Sequence, residues 1–200
     1  MNQATLELNR AYAPKTSMTR NNCYESSIEG ALKFLVECFL DYGVTRNKNT
    51  IIHSLRVATY LQNIGASESA VIGGVLHDLL ESCPKAFSEV DVRYGKKILA
   101  LVSANTLNRS QNGWKARFKD SVARGLKSGD DAFLIRAADL LDNCWHFMSQ
   151  EKEERLERCL WKLEHLLVLS EDLILTPVIK DMVVDLQKAH IAVKASLESY

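Results

Sequence analysis

Apolar residues recur every three or four positions along most of the chain, which is the spacing of amphipathic helices. The first stripe contains Ile28, Leu35 and Phe39 and is closed by Gly43. The same spacing predicts further helices over residues 50–63, 68–82, 87–94, 96–103, 114–126 and 131–148, around the leucines of 156–167, and from Thr176 onwards. No pair of segments alternates like paired strands. The pattern therefore predicts an all-α fold, a compact helical bundle.

Glycine, proline and polar residues separate the predicted helices. Gly65 is expected to end the second helix, Ser67 to cap the third and Pro84 to stop it. Residues 105–113 (NTLNRSQNG) form the clearest internal loop. The opening residues are polar and aperiodic. The predicted organisation is an N-terminal arm (1–24), a core (25–150) and C-terminal helices packed on that core (151–200).

The charge balance argues against a polyelectrolyte partner. The 25 basic and 25 acidic residues cancel, so neither nucleic acid nor an anionic membrane is expected, whereas a small charged ligand needs only a local cluster of charge. The five cysteines lack CxxC spacing and are interpreted as reduced thiols. Without a signal segment or a long apolar run, a cytoplasmic location is expected.

The segment GGVLHDLLE places a histidine and a carboxylate inside a strongly apolar stretch. His77 and Asp78 are adjacent, and a continuous helix would bring Glu81 beside both. A buried carboxylate is costly unless it is paired or bound to a cation. Taken alone, the pair is more simply a capped or solvated feature of a helix. The preceding glycines suit close packing or a nearby ligand.

Two other apolar segments carry comparable polar residues. His53 lies in IIHSLRVATYLQ, and Asp139 lies in LIRAADLLDN with Asn143 one helical turn further on. Two imidazoles and two carboxylates would form a mixed nitrogen and oxygen ligand set. Such a set suits one divalent ion such as manganese, iron or zinc.

The order H…HD…D on successive predicted helices resembles the HD phosphohydrolase superfamily. Within it, HSLRVATYL, GGVLHDLLES and LIRAADLLDN are similar to the hydrolase domain of the RelA/SpoT family, over residues 28–150. This resemblance implies an HD-domain bundle and manganese-dependent removal of the 3′-pyrophosphate of guanosine tetraphosphate. It also implies roles for six residues: the metal ligands His53, His77, Asp78 and Asp139, the catalytic Glu81, and Asn143 in the substrate site.

The sequence also departs from the family pattern. Ser82 stands where the family has Asp, and a serine can hold a water molecule but cannot act as a carboxylate base. The Gly-x-Pro-Tyr stretch before the first histidine is missing, although Arg46 and Lys48 of that segment are expected to contact phosphate or base. Arg136 matches a basic family position and is interpreted either as a phosphate ligand or as a residue that extends its charge to solvent. No histidine occurs between Asp78 and Asp139, which favours a mononuclear site.

Three functions remain open at this point. The first is a phosphohydrolase that acts on a guanosine tetraphosphate-like nucleotide, with one divalent metal ion, which the resemblance implies is manganese. The others are an HD nucleotide phosphomonoesterase and a non-catalytic nucleotide sensor that keeps the metal. Trp114, Lys115, Arg117 and Lys119 follow the internal loop and either approach phosphates near the metal or form a solvated helix face. The oligomeric state is left open.

Overall fold

The computed structural model describes residues 22–41, 50–173 and 176–199, with side chains from Ile28 onwards in the first range. This part of the chain forms α-helices and one 3-10 turn, and contains no strand. The helices are α1 (Asn22–Asp41), α2 (Thr50–Asn63), α3 (Glu68–Leu76), α4 (Leu79–Ser82), α5 (Phe87–Asn105), α6 (Gly113–Ser128), α7 (Asp130–Met148), α8 (Glu153–Ser170) and α9 (Pro177–Leu197), with the 3-10 turn at Pro84–Ala86. The predicted all-α class is confirmed.

Most helix limits lie where the sequence predicted them. The Ser67 side chain accepts from the amide of Ala70 and so caps α3. Gly95 has φ 79° and ψ 170° inside α5, which reproduces the predicted break between residues 94 and 96. Helix α1 begins at Asn22, within the predicted arm, and residues 1–21 and Gly43 lie outside the described residues.

The third helix departs from the prediction. It was expected to run from residue 68 to residue 82, but α3 ends at Leu76, a turn holds His77 and Asp78, and α4 begins at Leu79. The His77 Nδ1–H donates to the carbonyl oxygen of Gly74 at 2.7 Å. A continuous helix would give that oxygen to the amide of Asp78. The histidine side chain therefore competes with the backbone at the point where the helix ends.

Helix α3 lies at the centre of the bundle, packed against α1, α2, α5 and α7. Its two glycines allow this close packing. A Cβ atom at Gly74 would lie 2.7 Å from Leu61 Cδ1 of α2, and a Cβ atom at Gly73 would lie 2.7 Å from Ile135 Cδ1 of α7. Of the two uses suggested by the sequence, close packing is the one that the structure shows.

The last two helices pack against α7 and against each other. Leu156, Leu163 and Leu166 of α8 are fully buried, as are Ile179 and Leu186 of α9. These side chains belong to the same hydrophobic core as the helices before them, which runs from Ala31 to Val193. None of the described helices has the length and apolar character needed to cross a membrane.

Candidate metal and active site

Three polar side chains from different parts of the chain meet inside the bundle. His53 Nε2 lies 3.2 Å from His77 Nε2 and 3.1 Å from Asp139 Oδ1. His77 Nε2 lies 3.6 Å from the same Asp139 oxygen. Both histidines are buried, and the Asp139 side chain is 15% exposed. The three atoms can hold a metal ion, because each supplies a lone pair and all lie within 4.8 Å of one another.

The hydrogen bonds at Nδ1 of the two imidazoles determine which ring nitrogen carries the lone pair. His77 Nδ1 faces the carbonyl oxygen of Gly74 and His53 Nδ1 faces the carboxylate of Asp142, at 2.7 and 2.5 Å. Both partners only accept, so each Nδ1 carries a proton and each neutral imidazole has its lone pair on Nε2. Two such lone pairs and a carboxylate oxygen repel one another unless a cation, either a proton or a metal ion, lies between them. The donor set therefore fits a divalent metal.

Asp78 lies in the turn directly after His77. Its Oδ1 atom is 3.5 Å from His77 Nε2, and its side chain is 17% exposed. It is thus close to His77 Nε2, but it does not belong to the group of three atoms that all lie within 4.8 Å of one another. The turn between α3 and α4 therefore supplies adjacent residues with different roles, a buried imidazole and a partly exposed carboxylate.

The carboxylate of Asp139 is oriented by residues of its own helix. Asn143 Nδ2 donates to Asp139 Oδ1 at 2.6 Å, and Arg136 Nη1 donates to Oδ2 at 3.2 Å. Burial alone would raise the pKa of Asp139. When a proton lies between the Nε2 atoms and the carboxylate, hydrogen bonds from His53 and His77 outweigh burial and hold the pKa well below its usual range. The group is therefore a carboxylate, the form that binds metal.

Asp142 and Arg56 form a supporting pair that the sequence analysis missed. Arg56 donates to both carboxylate oxygens of Asp142, at 2.5 and 2.8 Å, and the same carboxylate holds His53 Nδ1. Burial raises the pKa of Asp142, but these partners lower it to about 2. Asp142 follows Asp139 by three residues and Arg56 follows His53 by three, so helical spacing alone could have drawn attention to the pair.

Glu81 reaches the edge of the site from α4. Its Oε1 accepts from the amide of Leu107 at 3.0 Å, and its carbonyl oxygen accepts from Arg109 at 3.2 Å. Burial and the nearby Asp78 raise its pKa. Asp78 therefore acts on Glu81 although the helix is broken before α4, while the predicted position of Glu81 beside both His77 and Asp78 stays a prediction. Glu81 also anchors the loop between α5 and α6.

The remaining residues predicted for the site are Ser82, Arg136, Arg46 and Lys48. The Ser82 hydroxyl donates to the carbonyl oxygen of Asp78 at 3.3 Å, as is common within helices. Arg136 is buried, and its guanidinium contacts Asp139 and the carbonyl oxygen of Asn105. Arg46 and Lys48 lie outside the described residues.

Comparisons with known proteins identify the family to which the chain belongs. The family model of the HD domain matches residues 31–158, more than half of the chain. The chain is 28% identical, over 114 residues, to a guanosine-3′,5′-bis(diphosphate) 3′-pyrophosphohydrolase of Aquifex aeolicus (strain VF5). The alignment covers 52% of this chain but only 16% of that enzyme.

Solved structures show the same fold. The crystal structure of lmo0812 from Listeria monocytogenes EGD-e matches with a TM-score of 0.57 at 19% identity, over 73% of this chain and 99% of that one. A metazoan ortholog of SpoT that hydrolyzes ppGpp matches with a TM-score of 0.53 at 18% identity, over 92% and 96% of the two chains. The resemblance inferred from the three motifs is confirmed, and the chain belongs to the HD domain family.

Proposed function

We propose that this protein is a metal-dependent hydrolase of a phosphoester or pyrophosphate bond in a nucleotide, with guanosine tetraphosphate or a similar alarmone as its substrate. The observation that carries the proposal is the convergence of His53, His77 and Asp139 on one point inside an HD domain. The Aquifex relative, a pyrophosphohydrolase by name, supports this substrate class.

One divalent ion would be held by His53 Nε2, His77 Nε2, Asp78 and Asp139 Oδ1. A mixed nitrogen and oxygen ligand set suits Mn²⁺, with Fe²⁺ and Zn²⁺ as alternatives. When bound there, the ion would supply Lewis-acid chemistry, which polarises phosphoryl oxygens and lowers the pKa of water. Asn143 and Arg136 keep the carboxylate of Asp139 turned towards the imidazoles, and Asp142 keeps His53 in the tautomer that can bind.

Glu81 is proposed as the residue that orients water and accepts its proton. Leu107 holds Oε1, so Oε2 is the atom assigned to take the proton. Its raised pKa favours proton uptake by this carboxylate. Ser82 is proposed to assist by holding a water molecule, for which its hydroxyl would leave the Asp78 carbonyl.

The nucleotide is assigned to the open side of the site. Arg46, Lys48 and Asn143 are proposed to hold it. Arg136 is assigned to orienting Asp139 rather than to the substrate, since its guanidinium is buried against Asp139 and Asn105.

A nucleotide panel tests the reaction. Purified protein with added Mn²⁺ is incubated with guanosine tetraphosphate, GTP and nucleoside monophosphates, and the released phosphate species are identified. Pyrophosphate released from guanosine tetraphosphate, and lost in Glu81→Gln, is the expected result. Orthophosphate from monophosphates alone would instead indicate the phosphomonoesterase. The phosphomonoesterase is favoured by Ser82, because a serine supplies no second carboxylate beside Glu81.

A sensor without turnover is the third candidate. It would bind guanosine tetraphosphate tightly, release no product, and bind equally well after Glu81→Gln. Binding and product release measured on the same preparations separate this outcome from an enzyme.

A further inference from the structure

The C-terminal end of α5 is capped by arginine side chains from two neighbouring helices. The last carbonyl groups of a helix have no amide partner within it. Arg124 of α6 donates through Nη1 to the carbonyl oxygen of Ser103 and through Nη2 to that of Thr106, the latter at 2.7 Å. Arg136 of α7 donates to the carbonyl oxygen of Asn105. Two guanidinium groups therefore satisfy these acceptors at the negative end of the helix dipole.

Arg124 is oriented for this contact by its own helix. Its Nε–H donates to the carboxylate of Asp120, one turn earlier on α6, at 2.9 Å. The Nε, Nη1 and Nη2 atoms thus each have an acceptor. Because the guanidinium is planar and rigid, these acceptors fix its orientation. A lysine, with one charged nitrogen on a flexible stem, cannot make the same set of contacts.

A single peptide group connects Arg124 to Glu81. The carbonyl oxygen of this group belongs to Thr106 and accepts from Arg124 at 2.7 Å. The N–H of the same group belongs to Leu107 and donates to Glu81 Oε1 at 3.0 Å. No peptide bond in the described part of the chain is cis, so the oxygen and the N–H point in opposite directions from one rigid plane. A movement of the carbonyl oxygen therefore also moves the N–H that holds the Glu81 carboxylate.

The positive charge of Arg124 also strengthens the hydrogen bond to Glu81. A cation at the carbonyl oxygen polarises the peptide group and leaves more positive charge on its N–H, so hydrogen bonds in series reinforce one another. Thr106 and Leu107 are partly buried, and polarisation of this kind is larger away from bulk water. Arg124 therefore affects both the position of Glu81 and the strength with which it is held.

The same turn of α5 is also bound to a proposed metal ligand. Arg136 contacts the carbonyl oxygen of Asn105 through Nη2, and its Nη1 donates to Asp139 Oδ2 at 3.2 Å. The Asn105 side chain is buried and donates to the carbonyl oxygens of Leu101 and Ala132. The last turn of α5 thus contacts both sides of the site, the carboxylate proposed to bind metal and the one proposed to act on water.

We propose that Arg124 is a positioning residue for Glu81. It fixes the peptide group between Thr106 and Leu107, and this group holds Glu81 Oε1, which leaves Oε2 to face water. Arg124 itself is assigned no contact with the nucleotide or the metal. The catalytic consequence rests on the proposed function, in which Glu81 orients water and accepts its proton, whereas the hydrogen-bonded connection does not depend on it.

Amide hydrogen exchange in the full chain tests the connection without requiring turnover. Arg124→Met keeps an unbranched side chain but removes every donor to α5. The Leu107 N–H, followed by NMR, is expected to exchange about tenfold faster or more, as for the loss of a charge-assisted hydrogen bond. Arg124→Lys, which keeps the charge, is expected to give a smaller increase. Unchanged exchange of this N–H in folded Arg124→Met would overturn the inference.

Steady-state kinetics test the effect on catalysis. Glu81 is assigned to the attacking water and not to the nucleotide, so a misplaced Glu81 should slow the chemical step without weakening substrate binding. Arg124→Met is therefore expected to lower kcat for pyrophosphate release about tenfold, with KM and the Mn²⁺ stoichiometry unchanged. A raised KM with an unchanged kcat, or the loss of bound Mn²⁺, would contradict a role through Glu81.

The matched control is Arg93→Met, before the Gly95 break in α5. Arg93 also pairs with a carboxylate one turn earlier, that of Glu89 at 3.5 Å, and its guanidinium lies over the ring of Phe34. The control should leave kcat and the exchange of the Leu107 N–H unchanged. Equal changes in both variants would overturn the inference. A wild type that releases no pyrophosphate would contradict the proposed function, while amide exchange would still decide the role of Arg124.

Discussion

Each of the three side chains that converge inside the bundle is held by a second residue that fixes its orientation. The carbonyl oxygen of Gly74 fixes His77, the carboxylate of Asp142 fixes His53, and Asn143 fixes Asp139. Outer partners of this kind set the tautomer and the basicity of the ligands that they touch. The affinity for metal should therefore depend on residues that never contact the ion.

Asp142→Asn is the most direct test of this dependence. An amide places an N–H towards either His53 Nδ1–H or Arg56, so one of the two contacts becomes repulsive. We expect the affinity for Mn²⁺ to fall about 10- to 100-fold, as measured by calorimetric titration of chelator-treated protein. The control is Asp185→Asn. The carboxylate of Asp185 lies outside the site and accepts a hydrogen bond, at 2.8 Å, from Tyr60 on α2, the helix that also carries His53. Equal losses in both variants would contradict the specific role of Asp142.

The buried cysteines should behave as apolar residues. Cys38, Cys83, Cys144 and Cys159 are buried thiols, in keeping with the predicted reduced state. Burial first, and then neighbouring groups including Cys83, raise the pKa of Cys38 to about 11. In a Cys23→Ser background, we expect slow alkylation of native protein across the ordinary thiol range and rapid alkylation after unfolding. Fast modification of native protein near neutral pH would contradict this packing.

Among the helices, the sequence predicted a break where a residue type itself interrupts the helical backbone. Gly95, with its positive φ, was recognisable as an interruption of α5. The end of α3 was not recognisable in the sequence, because neither His77 nor Asp78 forbids a helix. That helix ends where an imidazole takes a backbone acceptor, which depends on where the ring points and so on tertiary packing.

The glycines of α3 provide a prediction about helix packing. Gly74→Val would place a branched side chain where even a Cβ lies 2.7 Å from Leu61 Cδ1 and 3.4 Å from Val57 Cγ1. We expect the free energy of unfolding to fall by about 1–3 kcal/mol, measured by urea denaturation. Gly30→Val is the control, since a Cβ there meets nothing within 4 Å. Equal losses from both substitutions would point to helix propensity rather than overpacking.

At the scale of the whole molecule, the site exists only because the fold brings distant segments together. His53 and Asp142 are 89 residues apart, and periodicity alone gives no means of pairing them. The resemblance to a known family supplied the pairing of His53, His77 and Asp139, whereas the contact of Arg56 and Asp142 with His53 could be found only from the coordinates. The division of the chain at residues 24 and 150 stays a prediction.

A metal held by several helices should stabilise the whole fold. Chelator-treated protein is expected to unfold at a lower temperature than protein with added Mn²⁺, because the ion binds the folded state. Free Mn²⁺ at 100 times its Kd should add about 2.7 kcal/mol to the free energy of unfolding. His77→Ala should show no such dependence on Mn²⁺, and a Tm that responds equally in both proteins would contradict a site at His77.

His53, His77 and Asp139, with Asp78, are proposed to hold one metal ion. Elemental analysis of the purified protein beside a folded His77→Ala variant tests this proposal most directly. One equivalent of a divalent transition metal is expected in the wild type, and its loss is expected in the variant. The same stoichiometry in both proteins, or no metal in the wild type after incubation with Mn²⁺, Fe²⁺ and Zn²⁺, would contradict it.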